Sequence, residues 1–501
     1  MSKASEIYRS CTAGRSSGEL TAQNVSLYTV SPFSIYCEKF VPASEKDPLG
    51  PYRELLQERG IEHEAAVLEK FHPGLKRVEY TDSRQGFRLL LDEMERGADV
   101  ICGLPLIYLP ENLQGRFDIL EKRRGQPSVF GPYHYVVKEI KVSKNIREEH
   151  ILQGAFYTYL LSKIQKHLPE RFFIINRDVE ETAHDYRDHE ADLLRAIGGT
   201  RAILDGRELP TPTYNAGEWP WKTYTNHAAL KSRDISLVSR VGPKLKEKLV
   251  GRGFRKVWDL SPSRINDLKN IPRLGDITAQ KLIRSAQAIQ KGELILLDRS
   301  ALDFPARTIE VYLDLEGTDQ PGDEGELSQV DYLIGALVCS SGNEDYRSFV
   351  AWRPAEEETM FKAFMAFIGS LKDCVIYHWH HYERWHMRKL ADRYGMAAEA
   401  DKTLFPFMVD LHRMAMAAFV FPTYTNGLKD IGAFLGYRWR HEDINALDAI
   451  AYYLRFQKDP EGYRQKLQAV IDYNEDDCRA TKLVKDWLQT RSRALTVEEP
   501  R

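Results

Sequence analysis

A chain of 501 residues is too long for one hydrophobic core, and its length predicts about three domains. Hydrophobic residues at 43% and charged residues at 29% fit a soluble globular protein. The formal net charge of −3 does not by itself indicate a polyanionic partner. Because the N-terminus has no apolar leader-like region and no run is long enough to cross a bilayer, we expect a cytoplasmic protein with no membrane partner.

The cysteines are scattered, and none of them has C-x-x-C spacing. This distribution indicates neither a disulfide framework nor a zinc or iron-sulfur cluster. We expect reduced thiols, several of them buried, at Cys11, Cys37, Cys102, Cys339, Cys374 and Cys478.

The N-terminal third places charged residues at strand and helix spacing. Asp118 stands at the start of a short predicted strand, and Glu139 and Lys141 lie two apart on the next strand, on one face. Two carboxylates beside a lysine can bind a metal ion and stabilise charge that develops on a phosphodiester. Gln153 and Tyr157 follow, four apart on a predicted helix. Alternating charges also occur on exposed strands, so Glu-x-Lys alone is weak support for a site.

The order Asp, Glu-x-Lys, Gln-x-x-x-Tyr over about residues 25–180 resembles the RecB-like branch of the PD-(D/E)xK nucleases. The resemblance implies a restriction-endonuclease-like domain, which we expect at residues 25–205 after an N-terminal tail at 1–24. It also implies metal ligands at Asp118 and Glu139, and catalytic roles for Lys141, Gln153 and Tyr157.

In this family a further metal ligand comes from an early helix after a glycine. Glu64, which follows Gly60, is the candidate here, with the adjacent His63 as the alternative. Several relatives carry cysteines for an iron-sulfur cluster, whereas this chain has EWPW at residues 218–221, so we predict no cluster. Residues 206–230 contain prolines and are predicted to be a linker.

Positive charge gathers in the middle segment. Residues 231–293 contain 15 Lys and Arg against 6 Asp and Glu, a net charge of +9 that leaves −12 for the rest of the chain. Such a concentration is typical of a module that contacts phosphates, although a solvated helical surface would also show it.

Within residues 231–296, two units of an apolar residue, a glycine turn and an amphipathic helix resemble tandem helix-hairpin-helix motifs. Gly242 and Gly275 would leave amides free at helix N-termini to bind phosphate oxygens without regard to sequence. Arg240 stands where many relatives have glycine. The alternative is a small helical spacer. The lysines expected to add charge are Lys244, Lys246 and Lys281.

Residues 309–317 alternate apolar and polar side chains, which predicts a β-strand with one buried face. Asp314 and Glu316 therefore point the same way. Two adjacent carboxylates repel each other unless a cation lies between them, and hard divalent ions prefer oxygen ligands. A solvated strand edge is the alternative.

Later segments add to this pattern. Residues 375–383 begin as an apolar strand and end at Glu383, and residues 423–436 show helical spacing. Tyr473 and Asp477 lie four apart at the start of a predicted helix and share a face. Asp476 lies off that face and is interpreted as a solvated neighbour. For Asp410, a helix-capping or structural role is favoured over that of a ligand.

These elements, over about residues 305–490, resemble the DEDDy branch of the RNase-H-like 3'-5' exonucleases, and more closely its YprB-type subgroup. The resemblance implies an RNase-H-like α/β domain with a mixed sheet, expected at residues 305–492. It implies that Tyr473 orients the attacking water. Glu383 stands where many relatives have Asp, which lengthens that ligand by one methylene. The ligands of two Mg²⁺ or Mn²⁺ ions would be Asp314, Glu316, Glu383 and Asp477.

Together these patterns predict an α/β multidomain nuclease with two hydrolytic centres that prefers DNA. The C-terminal centre would remove nucleotides from a 3' end, and the N-terminal one would cut single strands or flaps. The resemblance alone implies a setting in DNA repair, recombination or defence. The alternatives are an RNA-processing 3'-5' exonuclease, because nothing in the motifs reads the 2'-hydroxyl, and a nucleic-acid-binding scaffold with one decayed centre. The sequence identifies no protein partner.

Overall fold

The computed structural model describes residues 2–14, 19–75, 78–269, 271–318 and 330–497, with side chains as far as residue 492. The described residues divide into two compact units. The first contains those within 2–49 and 53–231, and the second contains 50–52 and those from 232 onward.

The first unit combines helices with a five-stranded sheet in the order β1-β4-β5-β6-β7. Only β5 and β6 are parallel neighbours, and α6 forms the crossover that a parallel pair requires. A separate pair joins β2 and β3. The helices are α1 Lys3–Thr12, α2 Ala22–Val30, α3 Pro32–Phe40, α4 Pro51–Phe71, α5 Ser83–Arg96, α6 Glu148–Gln165, α7 Tyr186–Leu204 and α8 Lys222–Ser232. The strands are β1 Val100–Cys102, β2 Pro105–Tyr108, β3 Leu113–Arg116, β4 Ile119–Ser128, β5 Gly131–Ile140, β6 Arg171–Ile175 and β7 Glu181–Asp185.

Two segments that we predicted to lie outside the first domain are part of its packing. Residues 1–24 are not simply a tail, because α1 buries Ala4, Ile7 and Cys11 in the main hydrophobic core. The predicted linker at 206–230 contains Trp221, which is buried with Phe33. Proline content indicated a linker, but Trp221 beside Pro220 is buried, and its Nε1 atom donates to Glu38 Oε2 on α3 at 2.8 Å.

The second unit begins with four helices: α9 Pro243–Val250, α10 Val257–Leu260, α11 Ile265–Leu268 and α12 Asp276–Lys291. Gly242 and Gly275 are the N-cap residues of α9 and α12, as the glycine turns predicted. Arg240 and Arg273, each two residues before such a glycine, have φ angles of 74° and 67°. Both arginines therefore adopt the left-handed conformation that glycine adopts most easily.

The rest of the second unit is built on a five-stranded mixed sheet in the order β11-β10-β9-β12-β13. β9 is antiparallel to β10 and parallel to β12, and a short pair joins β8 to β14. The strands are β8 Ile295–Leu296, β9 Ile309–Gly317, β10 Asp331–Ser340, β11 Asn343–Val350, β12 Cys374–His378, β13 Met408–Asp410 and β14 Phe419–Val420. The helices are α13 Glu357–Ser370, α14 Tyr382–Arg393, α15 Ala397–Thr403, α16 Leu411–Ala418, α17 Leu428–Phe434, α18 Ala446–Lys458 and α19 Pro460–Val497.

The prediction that β9 has one buried face was wrong, because the strand is buried on both faces. Val311, Leu313 and Leu315 pack into one core, and Tyr312 packs into another on the opposite side. β9 lies between β10 and β12, and α19 packs across it. Asp314 and Glu316 therefore point into the interior. Among the described residues, no helix has both the length and the apolar character needed to cross a bilayer.

Candidate active sites

The C-terminal carboxylates converge between β9 and α19. Oxygens of Asp314, Glu316 and Asp477 all lie within 4.8 Å of one another. The first two come from alternate positions on β9, and the third comes from α19. Within the described part of the chain, this is the one group of three or more acidic, histidine or cysteine side chains close enough to hold a metal ion.

Glu383 lies beside this group, in the first turn of α14, and is 4% exposed. Its Oε2 atom has no hydrogen-bond partner among the described residues, and His378 Nδ1 lies 3.5 Å away. So long a contact satisfies a buried carboxylate oxygen only weakly, and a cation or a proton would stabilise it further. Glu383 thus joins the three carboxylates electrostatically, although its oxygens lie outside the 4.8 Å group.

Burial and mutual repulsion raise the pKa values of these carboxyls. Burial and the charge of Asp477 raise the pKa of Glu316 to about 8, and burial raises the pKa of Asp477 to about 6. Burial and the other carboxylates raise the pKa of Asp314 well above its usual value. A divalent cation would relieve this repulsion, and an all-oxygen set suits Mg²⁺ or Mn²⁺. The residues therefore fit the metal that the resemblance implies.

Tyr473 lies next to the acidic group, as its spacing from Asp477 predicted. Its hydroxyl is hydrogen-bonded to Asp477, and its side chain is almost fully buried. Lys429 Nζ lies 4.6 Å from the centre of the Tyr473 ring and donates to the Ile444 carbonyl at 2.8 Å. Burial lowers the pKa of Lys429, whereas Asp477 and Glu316 raise it. The lysine places positive charge beside the acidic group, and our sequence analysis did not identify it.

Three further residues support the carboxylates and were also missed. Asn474 Nδ2 donates to Asp314 Oδ2 at 2.6 Å, and Tyr346 OH donates to Asn474 Oδ1 at 2.8 Å. Trp439 Nε1 donates to Asp477 Oδ1 at 2.7 Å. The spacing of three between Asn474 and Asp477 on one helix was the available sequence signal.

The predictions for two aspartates outside the proposed ligand set, Asp476 and Asp410, had different outcomes. Asp476 was interpreted as a solvated neighbour, which is wrong: it is 3% exposed and accepts hydrogen bonds from Tyr437 OH at 3.0 Å and Arg440 Nε at 3.0 Å. The helix-capping role favoured for Asp410 is confirmed, because its side chain accepts from the Arg413 amide at the start of α16.

The N-terminal candidate residues also come together. Lys141 Nζ donates to Glu139 Oε2 at 3.2 Å and to Gln153 Oε1 at 2.7 Å. The Asp118 amide donates to Glu139 Oε1 at 3.4 Å, and Asp118 Oδ2 accepts from the Ile140 amide at 2.7 Å. These contacts join the ends of β4 and β5 to α6.

The remaining predicted residues lie at the same place. Glu64 is close enough for its charge to raise the pKa of Asp118, whereas His63 Nε2 lies 3.2 Å from the Asn176 carbonyl. The geometry favours Glu64 over His63 as the neighbour of Asp118. Tyr157 is largely buried near Glu139 and Asp118. Burial and the charge of Asp118 raise the pKa of Glu139 to about 8.

The predicted phosphate-contacting residues of the helical segment separate into two groups. Gly242, Gly275, Lys244 and Lys281 are exposed. Lys246 is 5% exposed, and its Nζ atom lies 2.9 Å from Oδ2 of the buried Asp234. The expectation that Lys246 adds charge for phosphates is therefore contradicted, because its ammonium group is turned into the interior.

Comparison with known protein families supports part of this picture. Residues 311–489 match the family described as RNase_H superfamily, and residues 232–288 match the family described as SAM-like helix-hairpin-helix tandem. Neither match covers the first unit, and no curated protein matches the chain. The presence of the predicted RNase-H-like and helix-hairpin-helix domains is confirmed at the level of these two families. The chain thus contains an RNase H superfamily domain and a helix-hairpin-helix tandem, a combination that indicates a nuclease acting on nucleic acid.

Proposed function

We propose that this protein is a divalent-metal-dependent nuclease whose C-terminal centre removes nucleotides from the 3' end of DNA. The observation that carries the proposal is the largely buried cluster of Asp314, Glu316 and Asp477, with the Glu383 carboxylate beside it held by a long contact of 3.5 Å with His378. Four carboxylates this close repel one another when ionised without a cation, and they suit a hydrolase that binds metal ions.

The roles of the residues follow from their contacts. Bound Mg²⁺ or Mn²⁺ would activate water and stabilise negative charge on the phosphate and leaving oxygens. Asp314, Glu316, Glu383 and Asp477 would hold the ions. The Tyr473 hydroxyl orients the attacking water, and its bond to Asp477 fixes the phenol. Asn474 holds the Asp314 carboxylate in one orientation.

We infer a second hydrolytic centre in the first unit, of the RecB-like PD-(D/E)xK type, that cuts single strands or flaps. The hydrogen-bonded group of Glu139, Lys141 and Gln153 beside Asp118 and Glu64 supports it. Asp118, Glu139 and Glu64 would bind metal, and Lys141 would stabilise charge on the phosphate. The Tyr157 ring limits the space beside Gly115, where a Cβ atom would lie 2.5 Å from it.

The preference for DNA, the YprB-type assignment and a setting in repair, recombination or defence rest on the resemblance. The helix-hairpin-helix tandem would hold the nucleic-acid backbone through the helix N-termini at Gly242 and Gly275, with Lys244 and Lys281 beside them. An RNA-processing exonuclease is the second candidate, because no described contact distinguishes the two sugars.

Cleavage of 5'- and 3'-labelled single-stranded, duplex and flap substrates, in matched DNA and RNA forms with Mg²⁺ or Mn²⁺, tests the proposal. We expect Asp314→Ala to abolish shortening from the 3' end and Lys141→Ala to abolish only the second activity. Asp345→Ala, which removes an exposed carboxylate of β11, is the matched control and should change neither. Unchanged cleavage by the double variant Asp314→Ala and Glu139→Ala would refute the site assignment. No cleavage by the unmutated protein would favour the scaffold.

A further inference from the structure

A groove of about 800 Å³ opens in the second unit beside the start of α19. Its walls contain the indole of Trp352, the ring of Phe456 on α18, and the exposed guanidinium groups of Arg353 and Arg464. Glu356 also lines it, so two cations face one carboxylate. Its walls thus combine aromatic surface with a surplus of positive charge.

Trp352 presents an aromatic surface to the groove. The side chain is 40% exposed, and its ring centroid lies 5.8 Å from that of Phe456. The Gln457 side-chain amide donates to the Trp352 carbonyl at 3.0 Å, which holds the backbone in place. An exposed indole beside arginines is suited to stack on a nucleobase while the guanidiniums bind the neighbouring phosphates.

The strand register places this groove on the same face of the sheet as the acidic cluster. Leu333 on β10 pairs with Glu316 on one side and with Val350 on the other. Because adjacent strands lie about 4.8 Å apart, Val350 is about 10 Å from Glu316, and Trp352 follows two residues later. Leu333 and Val350 pack in the same core as residues of α18 and α19, so the groove lies on the face that holds the carboxylates.

We infer that this groove is a subsite for a single nucleic-acid strand, in which Trp352 stacks on one base and Arg353 and Arg464 bind the flanking phosphates. Arg464 stands 13 residues before Asp477 on α19, about 20 Å along the helix, and at about 3.4 Å per stacked nucleotide the groove lies roughly four to six nucleotides from the reacting phosphate. This inference rests on the proposed function, because the acidic cluster defines the position of that phosphate.

Binding of labelled oligomers of about 12 nucleotides to the full-length protein, measured by fluorescence anisotropy in EDTA so that no hydrolysis occurs, tests the subsite. We expect Trp352→Leu to weaken binding about tenfold, since stacking of one base contributes about that much. Trp352→Phe keeps an aromatic face and should restore most of the affinity. Matched oligothymidylate and oligouridylate show whether the strand is DNA or RNA.

An abasic scan then identifies the base that Trp352 contacts. In the unmutated protein, an abasic site about four to six nucleotides from the 3' end should weaken binding, whereas in Trp352→Leu the same lesion should add little, because the two changes remove one interaction. Arg464→Ala should reduce the slope of log K against log salt by about one, because one phosphate contact is lost. Arg347→Ala removes an exposed arginine of β11 outside the groove and serves as the matched control.

Equal affinities of Trp352→Leu and the unmutated protein, or an identical abasic profile in both, would overturn the subsite. If Trp352→Leu does not fold, an unchanged salt dependence in Arg464→Ala would overturn it instead. If the protein cleaves nucleic acid but the abasic lesion and Trp352→Leu act independently, the groove is refuted and the proposed nuclease activity stands. If the two changes are coupled but the protein cleaves no substrate, the nuclease proposal is refuted and strand binding at the groove stands.

Discussion

Asn474 shows how one uncharged side chain can control a charged site. It donates to Asp314 at 2.6 Å and accepts from Tyr346 OH at 2.8 Å, and the chain passes so close to it that a Cβ atom on Gly335 would lie 1.7 Å from its Oδ1. Gly335 pairs directly with Asp314 in the sheet. The Asn474 amide therefore packs from α19 against β9 and β10, and its two hydrogen bonds fix its orientation.

We predict that Asn474→Ala lowers 3'-end hydrolysis about 10- to 100-fold and raises the Mn²⁺ concentration needed for half-maximal activity, because residues that orient metal ligands have effects of this size. Metal titrations of activity measure both quantities. Tyr346→Phe, which removes only the outer hydrogen bond, should have a smaller effect in the same direction. An Asn474→Ala protein with an unchanged metal requirement would contradict this role.

The difference between predictable and missed residues has a physical basis. Asp314 and Glu316 were identified because a strand repeats every two residues, and Tyr473 and Asp477 because a helix brings residues four apart together. Lys429 and Trp439 reach the site from α17 and the segment after it, through long-range contacts that no local period encodes. Lys246 was assigned to the surface from its charge, whereas its contact with Asp234 is tertiary.

At the scale of elements, the helix-hairpin-helix segment contains lysines with opposite environments. Lys246 and Asp234 form a buried pair, and Asp234 also accepts from Ser236 Oγ at 2.6 Å. Lys244 and Lys281 are exposed. Removal of one partner from a buried ion pair leaves the other charge buried and uncompensated. Removal of an exposed lysine changes mainly the long-range attraction to phosphates.

We predict that Lys246→Ala lowers the free energy of unfolding of this segment by about 3 kcal/mol or more, and that Lys244→Ala changes it by less than about 0.5 kcal/mol. Chemical denaturation of the two variants measures the difference. In nucleic-acid binding, Lys244→Ala and Lys281→Ala should each reduce the slope of log K against log salt by about one. Equal stabilities of Lys246→Ala and Lys244→Ala would contradict the buried pair.

Elements were predicted best where their pattern is local. The spacing of Gly242 and Gly275 gave the starts of α9 and α12, and the alternation of residues 309–317 gave β9. The burial of β9 on both faces could not be predicted from local pattern. The alternation predicts that one face, with Tyr312, Asp314 and Glu316, is exposed to solvent, whereas in the fold α19 packs against the strand. Likewise α19 begins at Pro460, well before the motif with Tyr473 that suggested a helix start.

At the scale of the whole molecule, the two compact units share one electrostatic feature. Each contains a buried carboxyl whose pKa is raised to about 8, Glu139 in the first unit and Glu316 in the second, because burial and a neighbouring aspartate oppose its ionisation. Burial also raises the pKa values of Asp118 and Asp314. Without metal, the folded protein therefore retains protons that the unfolded chain has already released.

This difference gives the stability of the metal-free protein a defined dependence on pH. Between the ordinary glutamate pKa and about 8 the folded state binds more protons than the unfolded state, so stability falls as pH rises through this window. We predict a loss of about 1.4 kcal/mol per pH unit for each such carboxyl. Denaturation in EDTA at several pH values should show that Glu316→Gln and Glu139→Gln each flatten the decline relative to the unmutated protein. Mn²⁺ should stabilise the unmutated protein increasingly as pH rises, because the ion displaces those protons. A variant slope equal to that of the unmutated protein would show that the carboxyl ionises normally in the fold.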